Sequence, residues 1–588
     1  MSRASLAGSL LLATLAAAAT NFDQCRQDVE ERLANDNGSV PDWALWTGPL
    51  KNFRGTDAQR PLTLTTDGCK YYCGTEPQYS GVIASFQIMT TWILPAIALM
   101  SQFPYESLSC KKWRNAEAFA NWIGAPAAAI TTTFWNIITI HDCAAKSALF
   151  TSPDKSHWPK NALYILSCVN QYEYPRRKGM EEKDKSRDTA LLRGVLWPYV
   201  KTDDARLSIR NRREKLENLN EHLAFQLRLQ RRKGVYPVYI SILWFGISFA
   251  FSIVIAFAAL GDNLTAHSLA LGLLLSWIPI VVFASVVDRN PTSATRCREL
   301  IERWLYNIDR EFVTDDVQLS ANASHWRGRN WHLKADEDDK EAFSIGDFLG
   351  QGRRLRYCGV TDTVLGYITN PETADKCLDN LLDDPRQHNV GNKSISVHKR
   401  FQQDLIARPW RWYATWLVAQ AIVSTGSSMG FMVSFNTPTV GLGCRSLSYL
   451  VWWCCTVPSW ILLGLQQEPH PWIRRAMVIP NFLAVGGLFV IMIALSISRF
   501  DDCVCKSSRF GIGTGIRGGY MDFENGEFYR EHYGVSTFWG AATGVGGSTL
   551  VFSIAWLAWK WHKSSSLWKV AENGRLRLHD DVALDWLT

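Results

Sequence analysis

Two apolar runs, residues 236–260 and 269–287, are joined by the short polar link Gly261-Asp262-Asn263-Leu264-Thr265, and they limit the chain more than any other feature. Neither run contains Asp, Glu, Lys or Arg. At about 1.5 Å per helical residue, each is long enough to cross a hydrocarbon layer of roughly 30 Å. Residues 235–287 are therefore predicted to form a transmembrane hairpin. Arg231, Arg232 and Lys233 precede it, and Arg289, Arg296 and Arg298 follow. The positive-inside rule then puts both outer ends in the cytosol and the link outside.

Much of the remaining chain is polar. Of 588 residues, 47% are hydrophobic and 20% charged, so long soluble or interfacial segments must separate the apolar ones. The formal charge of +7 gathers beside apolar runs, which points to the lipid bilayer as partner and not to nucleic acid. Trp135, Trp197, Trp410, Trp412, Trp472, Trp559 and Trp561 sit at the ends of apolar runs, where they are expected to act as headgroup-level anchors.

Residues 1–20 have the form of a signal peptide: Arg3, an apolar core, then small residues at Ala17 and Ala19. Residues 21–78 follow as an extracytoplasmic segment with Cys25, Cys69, Cys73 and a glycosylation sequon at Asn37. The first membrane region, 79–175, has one clear span at 79–103, marked on its cytosolic side by Lys111, Lys112 and Arg114. A second, 119–140, is interrupted at Gly124-Ala125-Pro126, where the proline removes an amide donor and predicts a kink. If that span exits to the outside, residues 158–174 must cross back. Otherwise 119–140 is re-entrant, and both alternatives stand.

Residues 176–234 form a basic cytosolic loop in which Ile209, Leu216, Leu219, Leu223 and Leu227 share one helical face. This face is expected to pack on the rest of the cytosolic domain, with the inner leaflet or a partner helix as the alternative. After the hairpin, region 288–408 opens with a matching face, Cys297, Leu300, Ile301, Trp304, Leu305, Ile308 and Phe312, so two amphipathic helices bracket the hairpin as a stalk. Loops 176–234 and 314–407 are the expected contact regions for a cytosolic protein partner. Glycines between 346 and 359 lack the order of a phosphate-binding loop, and sequons at Asn322 and Asn392 should be unused in the cytosol. Region 409–560 carries four further spans, 412–435, 447–465, 478–497 and 537–559, with a Cys-containing outer loop at 499–536 and a cytosolic tail at 561–588.

Cys25, Cys69, Cys73, Cys444, Cys503 and Cys505 fall on the oxidising side, with Cys143 at its edge, and these seven are the disulfide candidates. A metal site joining Asp501, Asp502, Cys503 and Cys505 to His141, Asp142 and Cys143 is the rival, but the spacing fits no standard ligand pattern. No metal or cofactor is expected. H-E-x-x-H does not occur, and no Ser sits in a G-x-S-x-G nucleophile elbow, the string Gly426-Ser427-Ser428-Met429-Gly430 lying inside the apolar run 412–435, so a soluble-type catalytic site is not expected, and nearly all the histidines read as surface or interfacial. No span has a charge near its centre; Gln87, Asn136, Gln420 and Asn481 read as interhelical hydrogen bonds or solute contacts. Gly426-x-x-x-Gly430 and Gly540-x-x-x-Gly544 predict close helix packing.

The expected fold is an all-α polytopic membrane protein: a bundle of 7–8 transmembrane helices with a small disulfide-stabilised extracytoplasmic segment and helical cytosolic loops, its N-terminus outside and its C-terminus cytosolic. The preferred function is a sensor, signalling or scaffold protein of the plasma membrane. A channel or facilitator for a neutral or apolar solute is the alternative.

Overall fold

The two arms of the hairpin have opposite surroundings. Within its most apolar 18 residues, the arm Thr265–Val287 is 94% buried, whereas the arm Tyr236–Ala258 is 33% buried. The first fills the middle of a bundle. The second is part of its wall, with Ile240, Leu243, Trp244, Phe251 and Val254 facing outward. A helix apolar on all sides must be covered by protein or by lipid.

This computed structural model describes residues 21–34, 40–79, 81–103, 112–149, 158–174, 182–199, 207–231, 236–261, 263–288, 291–313, 342–350, 355–369, 400–437, 441–465, 471–507, 519–523 and 526–568. The expected signal peptide and the sequons at Asn37, Asn322 and Asn392 lie outside the described residues.

In chain order, α1 (Phe22–Ala34), β1 (Thr63–Thr65) and α2 (Thr66–Cys73) open the chain. The rod α3 runs through Val82–Ile88, a π-turn Met89–Ile93 and Leu94–Met100; Pro95, which has no amide hydrogen, follows that irregular turn directly. Next come α4 (Lys112–Gly124), α5 (Pro126–Leu149), α6 (Trp158–Val169), α7 (Glu182–Leu196) and α8 (Leu207–Leu229). The hairpin is α9 (Tyr236–Ala258), then α10 (Asn263–Leu275) and α11 (Trp277–Val287). Pro279 has no amide to offer Leu275 one turn earlier, which accounts for the break at Ser276. The chain continues with α12 (Ala294–Val313), α13 (Val360–Thr369), α14 (Trp410–Asn436), α15 (Cys444–Leu465), α16 (Pro471–Ala476), α17 (Val478–Ser496), β2 (Tyr520–Asp522) and α18 (Val535–Ser564).

Among the described residues, six helical segments are long and apolar enough to cross a membrane: α9, α10–α11 together, α14, α15, α17 and α18. This is consistent with an integral membrane protein. At one end of the bundle sits a cap that is not wholly helical: β1 and β2 form an antiparallel ribbon, with Leu64 opposite Met521. At the other end sits a base with its own apolar core, drawn from α6, α7, α8, α12, α13 and the foot of α5. In the base α8 packs on α12. Asn220 accepts the Trp304 indole N–H at 2.9 Å and donates to the Gly194 carbonyl at 2.9 Å, while Leu216, Leu219, Leu223 and Leu227 are buried. A wholly buried tryptophan such as Trp304 contributes about 3–5 kcal/mol relative to alanine.

Residues 119–140 do not form one rod. The chain bends by 98° between α4 and α5, at Gly124-Ala125-Pro126. Beyond the bend, α5 lies across the base ends of other helices. It meets Trp412 at the start of α14, Leu463 at the end of α15, and Trp556 and Trp559 late in α18. Arg411 donates to Asp142 at 2.9 Å, fixing its far half at the same level. Residues 158–174 are likewise part of the base: α6 spans 12 residues and is almost entirely buried in that core. Trp135, Trp197 and Trp412, expected as headgroup-level anchors, are buried, because they pack against protein at the base end.

Candidate functional site

Three disulfides build the cap. Cys25–Cys73 ties α1 to α2, Cys69–Cys503 ties α2 to the turn Cys503–Lys506, and Cys444–Cys505 ties that turn to the start of α15. Asp502 caps this turn by accepting from the Cys505 amide at 2.7 Å, which presents both of its cysteines to different partners. Below it Arg445 and Asp501 form a buried ion pair, each under 10% exposed. Asn52 donates to Asn436 at 3.0 Å, tying the cap to α14 as well.

Cys143 does not join this set. It is a free, fully buried thiol on α5, held at the base by the same contacts that make α5 lie flat, and burial pushes its pKa well up. His141 and Asp142 stay at the base beside it. The metal-site rival would need these residues next to Cys503 and Cys505, and the fold sets the two groups at opposite ends.

Between cap and base runs the enclosed arm α10–α11. At its cap end Gly261 has a positive φ of 90°, and a Cβ there would come within 2.3 Å of the Gly526 carbonyl oxygen. Only glycine permits both the turn and the contact. At its base end Gln171 donates to the Asp288 carbonyl at 2.9 Å, and Tyr172 donates to Ala294 at 2.9 Å. The Thr292 amide reaches Gln230, just past α8, at 2.6 Å. Along its length the arm is gripped by small residues. A Cβ on Gly426 would meet Leu273 O at 2.9 Å, one on Gly430 would meet Ala270 O at 2.8 Å, and one on Gly546 would meet the Leu273 side chain at 2.4 Å. Gly540 and Gly544 differ from the sequence expectation: among the described residues nothing lies within 4 Å of a Cβ at either, because they face away from neighbouring helices.

His267 departs from the surface or interfacial reading of the histidines. The arm begins at Thr265, so His267 is 4% exposed inside the bundle, with neither ring nitrogen hydrogen-bonded among the described residues. Ser434 and Thr437 on the facing end of α14 also bury hydroxyls without partners among the described residues. Asn136 and Asn481 sit in hydrogen bonds between elements, Gln420 binds Ser424 on its own helix, and Gln87 is exposed.

A second feature lies at the base rim. Asn481 donates to Asn121 at 3.0 Å and accepts from Ser459 at 2.7 Å, joining α17, α4 and α15 through three buried side chains. Gly124 lets α4 end directly against this junction, since a Cβ there would fall 2.0 Å from the Asn481 carbonyl oxygen. Beside the junction is a cavity of about 740 Å³. No sequence pattern announces it, because its walls come from four separated segments. Compared with known proteins, the chain matches no family model, no curated protein and no solved structure.

Proposed function

We propose that the chain is an integral membrane protein that couples an extracytoplasmic cap to a cytosolic base. In this reading α3, α9, α10–α11, α14, α15, α17 and α18 cross the bilayer alternately, while α4 and α5 stay on the cytosolic side. The N-terminus is then outside and the C-terminus inside, and the basic flanks of the hairpin fall in the cytosol. The six cysteines bonded among the described residues would then all fall in the oxidising compartment, which supports the reading.

One observation carries the coupling function: a single enclosed helical arm touches the cap at Gly261 and the base at Asp288. A displacement of the cap has a covered, close-packed route to the base. Hydrogen–deuterium exchange on Cys69→Ser and Cys503→Ser tests it. Faster exchange in residues 158–174 and 294–313, remote from the lost bond, is expected. Loosening confined to the cap would reduce the molecule to a scaffold.

A facilitator for a neutral solute is favoured by a different observation, the unpartnered polar atoms of His267, Ser434 and Thr437 inside the bundle. Against it, the arm fills the axis that a solute would use. Solute flux in reconstituted vesicles would replace the coupling function with this one.

A further inference from the structure

The cavity beside Asn481 has the size and chemistry of a ligand site, since small-molecule sites typically occupy about 300–1,000 Å³. One wall is apolar and continues onto the outward face of α17, where Ile479 and Leu483 line the cavity while remaining 63% exposed. Trp113 stacks on Phe482 with ring centroids 5.6 Å apart and closes one side. The back is the hydrogen-bonded junction of Asn121, Ser459 and Asn481. Charged groups also line it: Arg356, Arg475 and Glu117. Glu173 pairs with Arg356, whereas Arg475 is exposed and Glu117 half-buried, and neither is ion-paired among the described residues.

An occupant that satisfies these walls needs an anionic group for Arg475, a hydrogen-bonding cation for Glu117, and a long apolar part that can leave along α17. We infer that the cavity binds an aminophospholipid, with its phosphodiester at Arg475, its primary ammonium at Glu117 and its acyl chains over Ile479 and Leu483. Arginine offers forked donors to phosphate oxygens, and a primary ammonium donates to a carboxylate. A choline headgroup has no N–H to give. The inference rests on the membrane placement proposed above, because the base end of α17 then lies at the level of the cytosolic headgroups.

The test uses the full chain in mild detergent, with native mass spectrometry against phosphatidylethanolamine, phosphatidylcholine and phosphatidylglycerol. Ethanolamine lipid should be retained about tenfold better than choline lipid, and Arg475→Gln should lose about tenfold, the scale of one charge-assisted hydrogen bond. Glu117→Gln should erase the preference for ethanolamine over choline. Leu483→Trp, which fills the apolar wall and leaves the charges in place, should also lower retention and guards against a misfolded polar variant. Equal retention of all three lipids, or full retention by Arg475→Gln, overturns the site. Retention of O-phosphoethanolamine, which has the headgroup and no chains, as tightly as the whole lipid overturns a lipid as occupant. Vesicle flotation separates the two proposals: failure to co-float removes the membrane placement itself, whereas co-flotation without headgroup preference removes only this site.

Discussion

Trp416 and Trp460 lock α14 to α15 reciprocally: their rings lie 3.9 Å apart and within 4° of parallel, and each indole N–H donates to the other's backbone carbonyl at 2.9 Å. Trp416→Phe removes one of the two hydrogen bonds and part of the stack, a loss of about 1–2 kcal/mol. Trp416→Ala should cost about 3–5 kcal/mol. Thermal unfolding in detergent measures both. A double-mutant cycle with Trp460→Phe should give a coupling of about 0.5–1.5 kcal/mol, and additive losses would show that the stack does not act as a unit.

Peptide mapping without reductant should recover Cys25–Cys73, Cys69–Cys503 and Cys444–Cys505, with Cys143 unalkylated until the protein is denatured. Cys69 and Cys503 are 434 residues apart, so their bond closes by far the longest loop. Breaking it by Cys503→Ser should cost about 2–5 kcal/mol. A disulfide found at Cys143 would contradict the position of α5.

The two glycine pairs should separate cleanly. Gly430→Ala drives a methyl into the Ala270 carbonyl and should destabilise by about 1–3 kcal/mol. Gly540→Ala meets nothing and should be neutral or stabilising by up to about 1 kcal/mol through helix propensity. Equal losses at both positions would mean that Gly540 is covered in the assembled protein.

Glu302 on α12 gives the base a pH response. Burial raises its pKa, opposed by the Ile345 amide at 3.0 Å, by Arg298 and by the Ser344 hydroxyl at 3.3 Å. A carboxyl with a raised folded pKa binds its proton more tightly when folded. Its ionisation therefore costs stability at neutral pH, and this cost is recovered as pH falls through the folded value toward the ordinary 4.5. Glu302→Gln, which keeps an acceptor oxygen, should flatten the melting temperature against pH across that interval. A slope identical to wild type would place the response on another group.

Much of the bundle was legible because its helices announce themselves by composition. Residues 236–260 and 269–287 have no charge at all, so hydropathy found both arms, but it could not tell the wall from the centre. The same blindness leaves residues 119–140 undecided between a span and a re-entrant segment: Ala127, Ala128, Ala129, Ile130 and Phe134 are apolar whether lipid or protein covers them. The clues were Gly124-Ala125-Pro126 and the parity conflict, both of which fit a helix that turns flat. Starting the second arm at Leu269 left His267 outside it, between link and arm, although helical structure begins before it. The ribbon of Thr63–Thr65 with Tyr520–Asp522 is too short and too distant in sequence to read, and the cavity exists only once four segments meet.

The position of α5 also sets an order of events at the ribosome. Part of its buried surface rests on α6 and α11, which follow soon in the chain, but another part rests on α18, which is completed about 400 residues after α5 leaves the exit tunnel. At roughly 5–20 residues per second, that surface waits on the order of a minute for its cover. Newly made chains therefore carry an apolar helix whose face toward α18 stays uncovered until α18 has been made, and a chain truncated before α18 should be recognised and degraded as unfinished.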